Sequence, residues 1–264
     1  MSAYISQLWV YPVKACQGMS VPELCFQSPQ LSLDRVFAFV EQKEQKILTQ
    51  TNMPRLAAIK THLSQERLTL AAQNHGEIQI KLNGSMQPVV PKDNPMIEDM
   101  GNGAAEWVQD FLKVDNIRLV RRSANYPKIV SLDQGISWNI NFNFRSPLHI
   151  ISEASVADLS QRAQENIPAD RFRANIVLSG IESYAEDYYK ALIIGPNELV
   201  KTTACIRCIY TTTDQKSGLR VNKQPLAALQ KYRKTDKGVS FGQYFTPTSL
   251  GIIRISDDVM VVNE

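Results

Sequence analysis

The sequence predicts a mostly-β protein with a few helices, divided into two domains. Stretches rich in β-branched and aromatic residues recur between turn-forming residues, which is typical of strands. Apolar residues follow a helical spacing in only three segments. The composition is that of an ordinary globular protein, with 44% hydrophobic and 21% charged residues among 264. A chain of this length buries a core without disulfides or metals.

Strand patterns fill the first half of the chain. They cover residues 4–10, 35–40, 56–63, 68–72 and 77–82. The Asn83-Gly84 pair and the proline-rich stretch 88–95 then end this run, because such residues favour turns. The first helix is predicted over residues 104–113, where apolar residues recur three and four positions apart and so share one helical face.

In the second half of the chain, strands alternate with helices. A helix is predicted over residues 152–164 with Ser152 as its N-cap, since a serine hydroxyl there accepts a hydrogen bond from a free backbone N–H. A third helix is predicted to start at Pro225, because proline suits the first helical position, and to end near Tyr232. Two short strands are predicted over residues 252–255 and 259–262.

The domain boundary is predicted from a change in composition near residues 115–125. It separates a mostly-β domain over residues 1–122 from a β-rich domain with helices over residues 123–264.

Several classes of function lack support in the sequence. The balance of 29 Lys and Arg against 26 Asp and Glu is too even for a protein that neutralises many nucleic-acid phosphates. No apolar run approaches the roughly 18 residues of a membrane helix, and the start lacks the layout of a signal peptide. Glycine-rich phosphate loops and Gly-x-Ser-x-Gly elbows are missing. We therefore expect a cytoplasmic protein with neither a nucleic-acid partner nor a membrane, and His149, in an apolar segment, is expected to be a core residue rather than a base.

A Cys-x-x-Cys motif formed by Cys205 and Cys208 is the most distinctive local feature. Four cysteines are too few for the disulfide framework of a small secreted domain, so reduced thiols are expected. A zinc site needs further ligands that three unpaired histidines do not supply. A redox disulfide needs a helix after the first thiol, whereas Ile209 and the threonine run 211–213 favour a strand on both sides of Cys208. Two alternatives remain: packing cysteines, or a thiolate favoured by Arg207 between them.

Basic residues stand beside several predicted strands. Arg171 and Arg173 precede an apolar strand, together with Asn175, and form either an anion clamp or a solvated loop. Lys14 and Arg35 each stand at the edge of a predicted strand. These cations and the arginine of the cysteine motif form one pocket only if the fold brings them together.

Short motifs along the chain resemble those of the MOSC family. They are, in order, Tyr11-Pro12-Val13-Lys14, Asp34-Arg35, Pro54-Arg55-Leu56, Ser146-Pro147-Leu148, Ser152-Glu153-Ala154-Ser155, Arg171-Phe172-Arg173-Ala174-Asn175-Ile176-Val177, Ala185-Glu186-Asp187, Cys205-Ile206-Arg207-Cys208, Thr211-Thr212-Thr213-Asp214, Gly218 and Phe241-Gly242-Gln243-Tyr244. The resemblance runs from about residue 4 to residue 262 and points to the branch that includes reductases of amidoximes and other N-hydroxylated compounds. It implies an N-terminal β-barrel domain over residues 1–122, followed by a β-barrel MOSC domain over residues 123–264.

The resemblance also implies a molybdenum cofactor, in which a pterin dithiolene holds the metal and the Cys208 thiolate completes the sulfur ligation. Cys205 is expected to be structural. Asp214 is a candidate for proton delivery because it stands close to Cys208 in the sequence. The implied cofactor-binding residues are Lys14 and Arg35 at the pterin end, and Ser146, Arg173, Asn175 and Arg207 at the phosphate or neighbouring polar atoms.

The function implied by the resemblance is the reduction of small N-hydroxylated compounds, with Cys208 and Asp214 as catalytic residues. The chain carries no four-cysteine cluster for an iron–sulfur centre, so a separate flavin, haem or iron–sulfur protein is expected to deliver electrons. The alternative is a molybdenum cofactor carrier or sulfur-transfer protein that uses a persulfide on Cys208. Pyridoxal phosphate binding, attributed to the family as a whole, lacks a lysine with distinctive surroundings here.

Overall fold

A computed structural model describes residues 2–26, 33–44, 46–82, 97–123, 128–131, 137–143 and 146–263. The predicted turn residues 83–84 and 88–95 lie outside these ranges. In the first half of the chain the elements are β1 (Tyr4–Val10), β2 (Met19–Ser20), β3 (Glu23–Phe26), β4 (Phe37–Glu41), β5 (Lys46–Ile47), β6 (Lys60–Leu63), β7 (Arg67–Ala72), β8 (Gly76–Lys81), β9 (Ile97–Asp99), α1 (Asn102–Leu112) and β10 (Ile117–Arg122).

The second half of the chain is also rich in strands. Its elements are β11 (Lys128–Ser131), β12 (Ser137–Ile140), β13 (Leu148–Ser152), α2 (Glu153–Ala163), β14 (Ile176–Ser179), β15 (Tyr189–Ile194), β16 (Asn197–Arg207), α3 (Leu226–Tyr232), β17 (Lys234–Thr235), β18 (Gly238–Pro247), β19 (Gly251–Arg254) and β20 (Met260–Asn263). The prediction of a mostly-β protein with a few helices is confirmed.

The largest sheet joins strands from both ends of the chain. Its order is β2-β1-β14-β13-β18-β16-β15-β20, with β17 beside β18. Strands β13 and β14 are parallel, and the other pairings in this sheet are antiparallel. Two further sheets have the orders β5-β4-β10-β9 and β6-β7-β8, and the pairs β11-β12 and β3-β19 form separate ladders. Because β1 and β3 pair with strands of the second half, the boundary after residue 122 stays a prediction.

Helices α1 and α2 follow the predicted patterns closely. Ala104, Val108 and Phe111 are buried on one face of α1, which packs into the core of the first half. Ser152 caps α2, since its hydroxyl accepts a hydrogen bond from the backbone N–H of Ser155 at 3.1 Å. Pro225 directly precedes α3 instead of starting it.

The strand predicted over residues 56–63 is wrong in its first part. Residues Pro54–Ala58 form a 3-10 turn, and β6 begins only at Lys60. Pro54 explains the difference, because its fixed φ and missing N–H suit the first position of a helical turn.

No helix within the described ranges is long and apolar enough to cross a membrane.

Candidate functional site

A buried carboxylate, Asp34, organises the loop before β4. One of its oxygens accepts a hydrogen bond from the backbone N–H of Tyr11 at 2.9 Å, and the other accepts one from Arg35 at 2.5 Å. Arg35 has a left-handed backbone with φ of 49°. Its guanidinium also donates to the carbonyl of Arg173 at 3.2 Å. The Asp34-Arg35 pair is therefore held against the segment that precedes β14.

Arg173 lies at the end of a 3-10 turn over Ala169–Phe172 and also has a left-handed backbone, with φ of 56°. Its side chain is 7% exposed, and Nη1 donates to the carbonyl of Cys16. Its Nη2 is buried and has no hydrogen-bond partner among the described residues. Because a buried N–H without a partner is costly, this atom is available for an anion.

Lys14 brings a third cation to the same place. Its Nζ donates to the carbonyl of Phe142 at 2.5 Å. Burial, followed by the repulsion of Arg35 and Arg173, lowers the pKa of Lys14 from its ordinary value to about 8. The fold thus brings Lys14, Arg35 and Arg173 together in a region of positive potential, and their binding of a cofactor stays a prediction.

The backbone around Cys208 differs from the prediction. Strand β16 ends at Arg207, and Cys208 is exposed. A 3-10 turn over Ile209–Thr212 follows, so the strand expected after Cys208 is wrong. The carbonyl of Cys208 accepts hydrogen bonds from the backbone N–H and the hydroxyl of Thr211 at 3.1 and 3.0 Å. Threonine hydroxyls that bond the local backbone favour turns, which outweighs the strand propensity of this segment.

Cys205 and Arg207 contact each other on β16. Nη1 of Arg207 lies 2.7 Å from the Cys205 sulfur, and Nη2 donates to the carbonyl of Phe172 at 2.9 Å. The Nε of Arg207 is buried without a partner among the described residues. Burial alone would raise the pKa of the Cys205 thiol, but Arg207 and the neighbouring His149 outweigh it and lower this pKa to about 6. Cys205 therefore contacts Arg207 through its sulfur, in addition to packing, and this contact favours the thiolate form.

Asn175 and Ser146 lie in the framework around the cationic residues. The Asn175 amide accepts from the backbone N–H of His149 at 3.2 Å and donates to the carbonyl of Trp9 at 3.1 Å and to Asp34 at 3.2 Å. The Ser146 hydroxyl donates to the carbonyl of Phe245 at 2.6 Å. These contacts connect strands, and direct contact of either side chain with a cofactor stays a prediction.

Asp214 lies in the turn after the Thr211–Thr213 run. One carboxylate oxygen accepts hydrogen bonds from the backbone N–H and the hydroxyl of Ser217, both at 2.8 Å. The other lies 3.5 Å from the guanidinium of Arg171. Burial raises the pKa of Asp214, but the Ser217 hydrogen bonds and Arg171 outweigh it, so this pKa lies below its usual value. These contacts stabilise the turn, and the role of Asp214 in proton delivery stays a prediction.

Family models cover most of the chain. Residues 2–115 match the MOSC N-terminal beta barrel domain, and residues 138–260 match the MOSC domain. The chain belongs to the MOSC family. This confirms the family predicted from the motifs and the N-terminal domain that it implies.

The similarity of this MOSC protein to its relatives extends over nearly the full chain. Mitochondrial amidoxime-reducing component 1 of Mus musculus is 33% identical, over 98% of this chain and 82% of that protein. Component 1 of Homo sapiens is 35% identical, over 98% of this chain and 83% of that protein. Component 2 of Homo sapiens is 32% identical, over 97% and 82% respectively. These relatives are named as mitochondrial, so a cytoplasmic location for this chain stays a prediction.

Tyr11 and Asp34 are residues of the site of this MOSC protein that were not proposed as ligand-binding residues from the sequence, whereas Arg171 was, as part of a candidate anion clamp with Arg173. Arg171 donates to the carbonyl of Thr212 at 3.3 Å and so holds the turn after Cys208. Tyr11 and Asp34 contact Arg35. The sequence indicated Tyr11 and Asp34 only through their positions in the motifs, because a tyrosine at a strand end and an aspartate in a loop are common in any protein.

The residues of the MOSC site suit an anionic group that brings soft metal ligation. Within the described ranges, no three or more His, Cys, Asp or Glu side chains form a metal site. The exposed Cys208 would supply one soft ligand, and the buried N–H groups of Arg173 and Arg207 would supply donors that no described residue already bonds. A metal at Cys208 therefore needs its other ligands from a bound cofactor, and an anionic cofactor fits the surrounding cations.

Proposed function

We propose that this MOSC protein binds a molybdenum cofactor and reduces N-hydroxylated compounds at their N–O bond. The observation that carries the proposal is the exposed Cys208, which directly follows Arg207, a residue whose buried Nε has no hydrogen-bond partner in the part of the chain that the structure describes. Relatives named amidoxime-reducing components, at 33 and 35% identity, support the same reaction, because an amidoxime is an N-hydroxylated compound.

In this proposal the Cys208 thiolate ligates the metal, since soft thiolates suit molybdenum held by dithiolene sulfur. When bound, the cofactor supplies the two-electron reduction of the N–O bond. Arg207 orients the anionic parts of the ligand through Nε, while Cys205 and the Phe172 carbonyl hold its two other nitrogens.

The other cations hold the pterin and phosphate end. Arg173 offers its Nη2, which no described residue bonds, and Arg35 lies beside it, anchored by Asp34 at 2.5 Å. Lys14, whose pKa is about 8, takes up a proton at Nζ when an anion binds nearby, which strengthens its attraction for the phosphate. Ser146 and Asn175 contribute by connecting segments next to the loops that carry these side chains.

The proposal also includes the source of the electrons and the location of the protein. The relatives are named as components, which fits a reaction that involves further proteins. A separate flavin, haem or iron–sulfur protein delivers electrons to this chain, which acts in the cytoplasm. Asp214 delivers a proton during turnover.

Molybdenum and pterin analysis tests the proposal. The full chain is purified from a host that makes the cofactor, alongside Cys208→Ser and the control Cys25→Ser, which removes a free cysteine on β3. We expect near-stoichiometric metal in the wild type and the control, together with reduction of a benzamidoxime when a chemical reductant supplies the two electrons, and depleted metal in Cys208→Ser. Wild-type protein without molybdenum and pterin would overturn the proposal. A persulfide on Cys208 without N–O reduction would favour the sulfur-transfer alternative.

A further inference from the structure

We propose that Tyr11 is a positioning residue whose ring aligns Arg35 and Arg173 for the anionic part of the ligand. This inference rests on the proposed function, because it concerns the same site. Tyr11 itself carries no charge, and its role is to hold the side chains of the two arginines in place.

Two guanidinium groups share the Tyr11 ring. The central carbon of Arg35 lies 4.4 Å from the ring centroid, and that of Arg173 lies 4.2 Å away. An aromatic face attracts a cation within about 6 Å of its centroid. The ring therefore offsets the repulsion between two like charges that must lie close together to bind one anion.

Arg173 depends on this ring more than Arg35 does. Arg35 has the Asp34 carboxylate at 2.5 Å, whereas no carboxylate forms an ion pair with Arg173 within the described ranges. Arg173 is held instead by the carbonyl of Cys16, by the Gln215 amide oxygen at 3.4 Å and by the face of Tyr11 at 4.2 Å, while the Tyr210 ring lies 6.0 Å away. Loss of the aromatic face removes a stabilising contact from a buried cation that has few others.

Tyr11 is fixed at both ends by the neighbours of the two arginines. Its backbone N–H donates to Asp34 at 2.9 Å, and its hydroxyl donates to the carbonyl of Ala174 at 3.0 Å. Asp34 directly precedes Arg35, and Ala174 directly follows Arg173. Burial raises the pKa of the Tyr11 phenol, so the hydroxyl stays protonated and donates. The backbone N–H and the hydroxyl of Tyr11 thus set the spacing between two segments that are distant in sequence.

Gly18 leaves the space that the ring requires. A Cβ added at this position would lie 2.5 Å from Cε1 of Tyr11. Since carbon atoms that are not bonded to each other do not approach so closely, an alanine at position 18 would force the ring out of its present position while Tyr11 itself is retained.

The experiment compares Tyr11→Phe, which keeps the ring, with Tyr11→Leu, which removes it, and with Gly18→Ala, which displaces it. The control is Tyr232→Leu, because Tyr232 also contacts an arginine, Arg162 at 4.4 Å, but lies on α3. Sulfate binding is measured by calorimetry on the full chain from a host that lacks the cofactor. Molybdenum and pterin content is measured on protein from a host that makes it.

We expect sulfate binding by Tyr11→Phe and Tyr232→Leu to lie within about twofold of the wild type. Tyr11→Leu and Gly18→Ala should bind sulfate about tenfold more weakly, as expected for a cation–π contact worth roughly 1–2 kcal/mol. The same two variants should contain less cofactor. If Tyr11→Leu fails to fold by thermal unfolding, Gly18→Ala carries the test.

Wild-type sulfate affinity in a folded Tyr11→Leu or Gly18→Ala variant would overturn the inference. Failure of the proposed function gives a different result, because wild-type protein would then lack molybdenum and pterin while the dependence of sulfate binding on the Tyr11 ring persisted.

Discussion

Lys14 provides a quantitative test of the cationic site through proton uptake. Burial, Arg35 and Arg173 lower the pKa of Lys14 to about 8, which leaves about half of its side chains neutral at pH 8. An anion bound among these cations favours the charged ammonium and raises that pKa. Anion binding at pH 8 should therefore draw a proton from the solvent.

The expected uptake follows from the pKa of Lys14. If a bound sulfate raises this pKa well above 9, each binding event at pH 8 takes up about half a proton. At pH 6 Lys14 is already protonated, so the uptake falls to nearly zero. The affinity for sulfate should decline above pH 8, because a growing fraction of Lys14 must first gain a proton.

Calorimetry in two buffers with different ionisation enthalpies measures this uptake. Sulfate is a suitable probe because it does not titrate near pH 8. The difference in binding heat between the buffers, divided by the difference in their ionisation enthalpies, gives the number of protons. The control Lys14→Met keeps an apolar stem of similar length and should show no uptake at pH 8. A binding heat independent of the buffer in the wild type, or uptake that persists in Lys14→Met, would refute the reasoning.

Three further predictions concern the residues around Lys14 and Cys208. The pKa of Cys205 is lowered to about 6 from an ordinary value of 9. The free energy of unfolding of the wild type should therefore rise relative to that of Cys205→Ser as pH increases from 6 to 9, and this gain should be lost as pH falls through 6. Chemical denaturation across this pH range measures the difference. Asp34→Asn should cost about 3 kcal/mol of unfolding free energy in urea, because it leaves Arg35 without its buried carboxylate partner. If Asp214 delivers a proton, Asp214→Asn should shift the pH–rate profile of benzamidoxime reduction, whereas an unchanged profile with a lower melting temperature would leave only its role in the turn.

Local patterns predicted the elements whose formation depends on neighbouring residues in the sequence. Strand β1 lies where its alternating residues indicated, and Ser152 caps α2 because both the cap and its N–H partner belong to one turn. The strand predicted after Cys208 was wrong, also for a local reason. Hydrogen bonds from threonine hydroxyls to the nearby backbone outweighed the strand propensity of the β-branched residues.

The site depends on contacts between residues far apart in the chain. Lys14, Arg35 and Arg173 were selected singly from their motifs, but Arg35 and Arg173 are 138 positions apart along the sequence. Their meeting requires both the β1–β14 pairing and the hydrogen bond from the backbone N–H of Arg35 to the carbonyl of Tyr11, and no local pattern specifies either. Tyr11 was missed because its importance arises only once two arginines have been brought to its ring.

Three residues of the site have a strained backbone, and two of them carry the guanidinium groups that the site needs. Ala15, Arg35 and Arg173 all have left-handed φ angles, of 72°, 49° and 56°. Such a conformation costs an L-residue roughly 1–2 kcal/mol, and glycine would relieve it. Glycine at position 35 or 173 would also remove a guanidinium, so the strain is retained where the charge is needed. The Asp34 and Tyr11 contacts that offset this cost also orient the two arginines, because Asp34 accepts a hydrogen bond from Arg35 and the Tyr11 ring contacts both guanidinium groups, which excludes other side-chain rotamers.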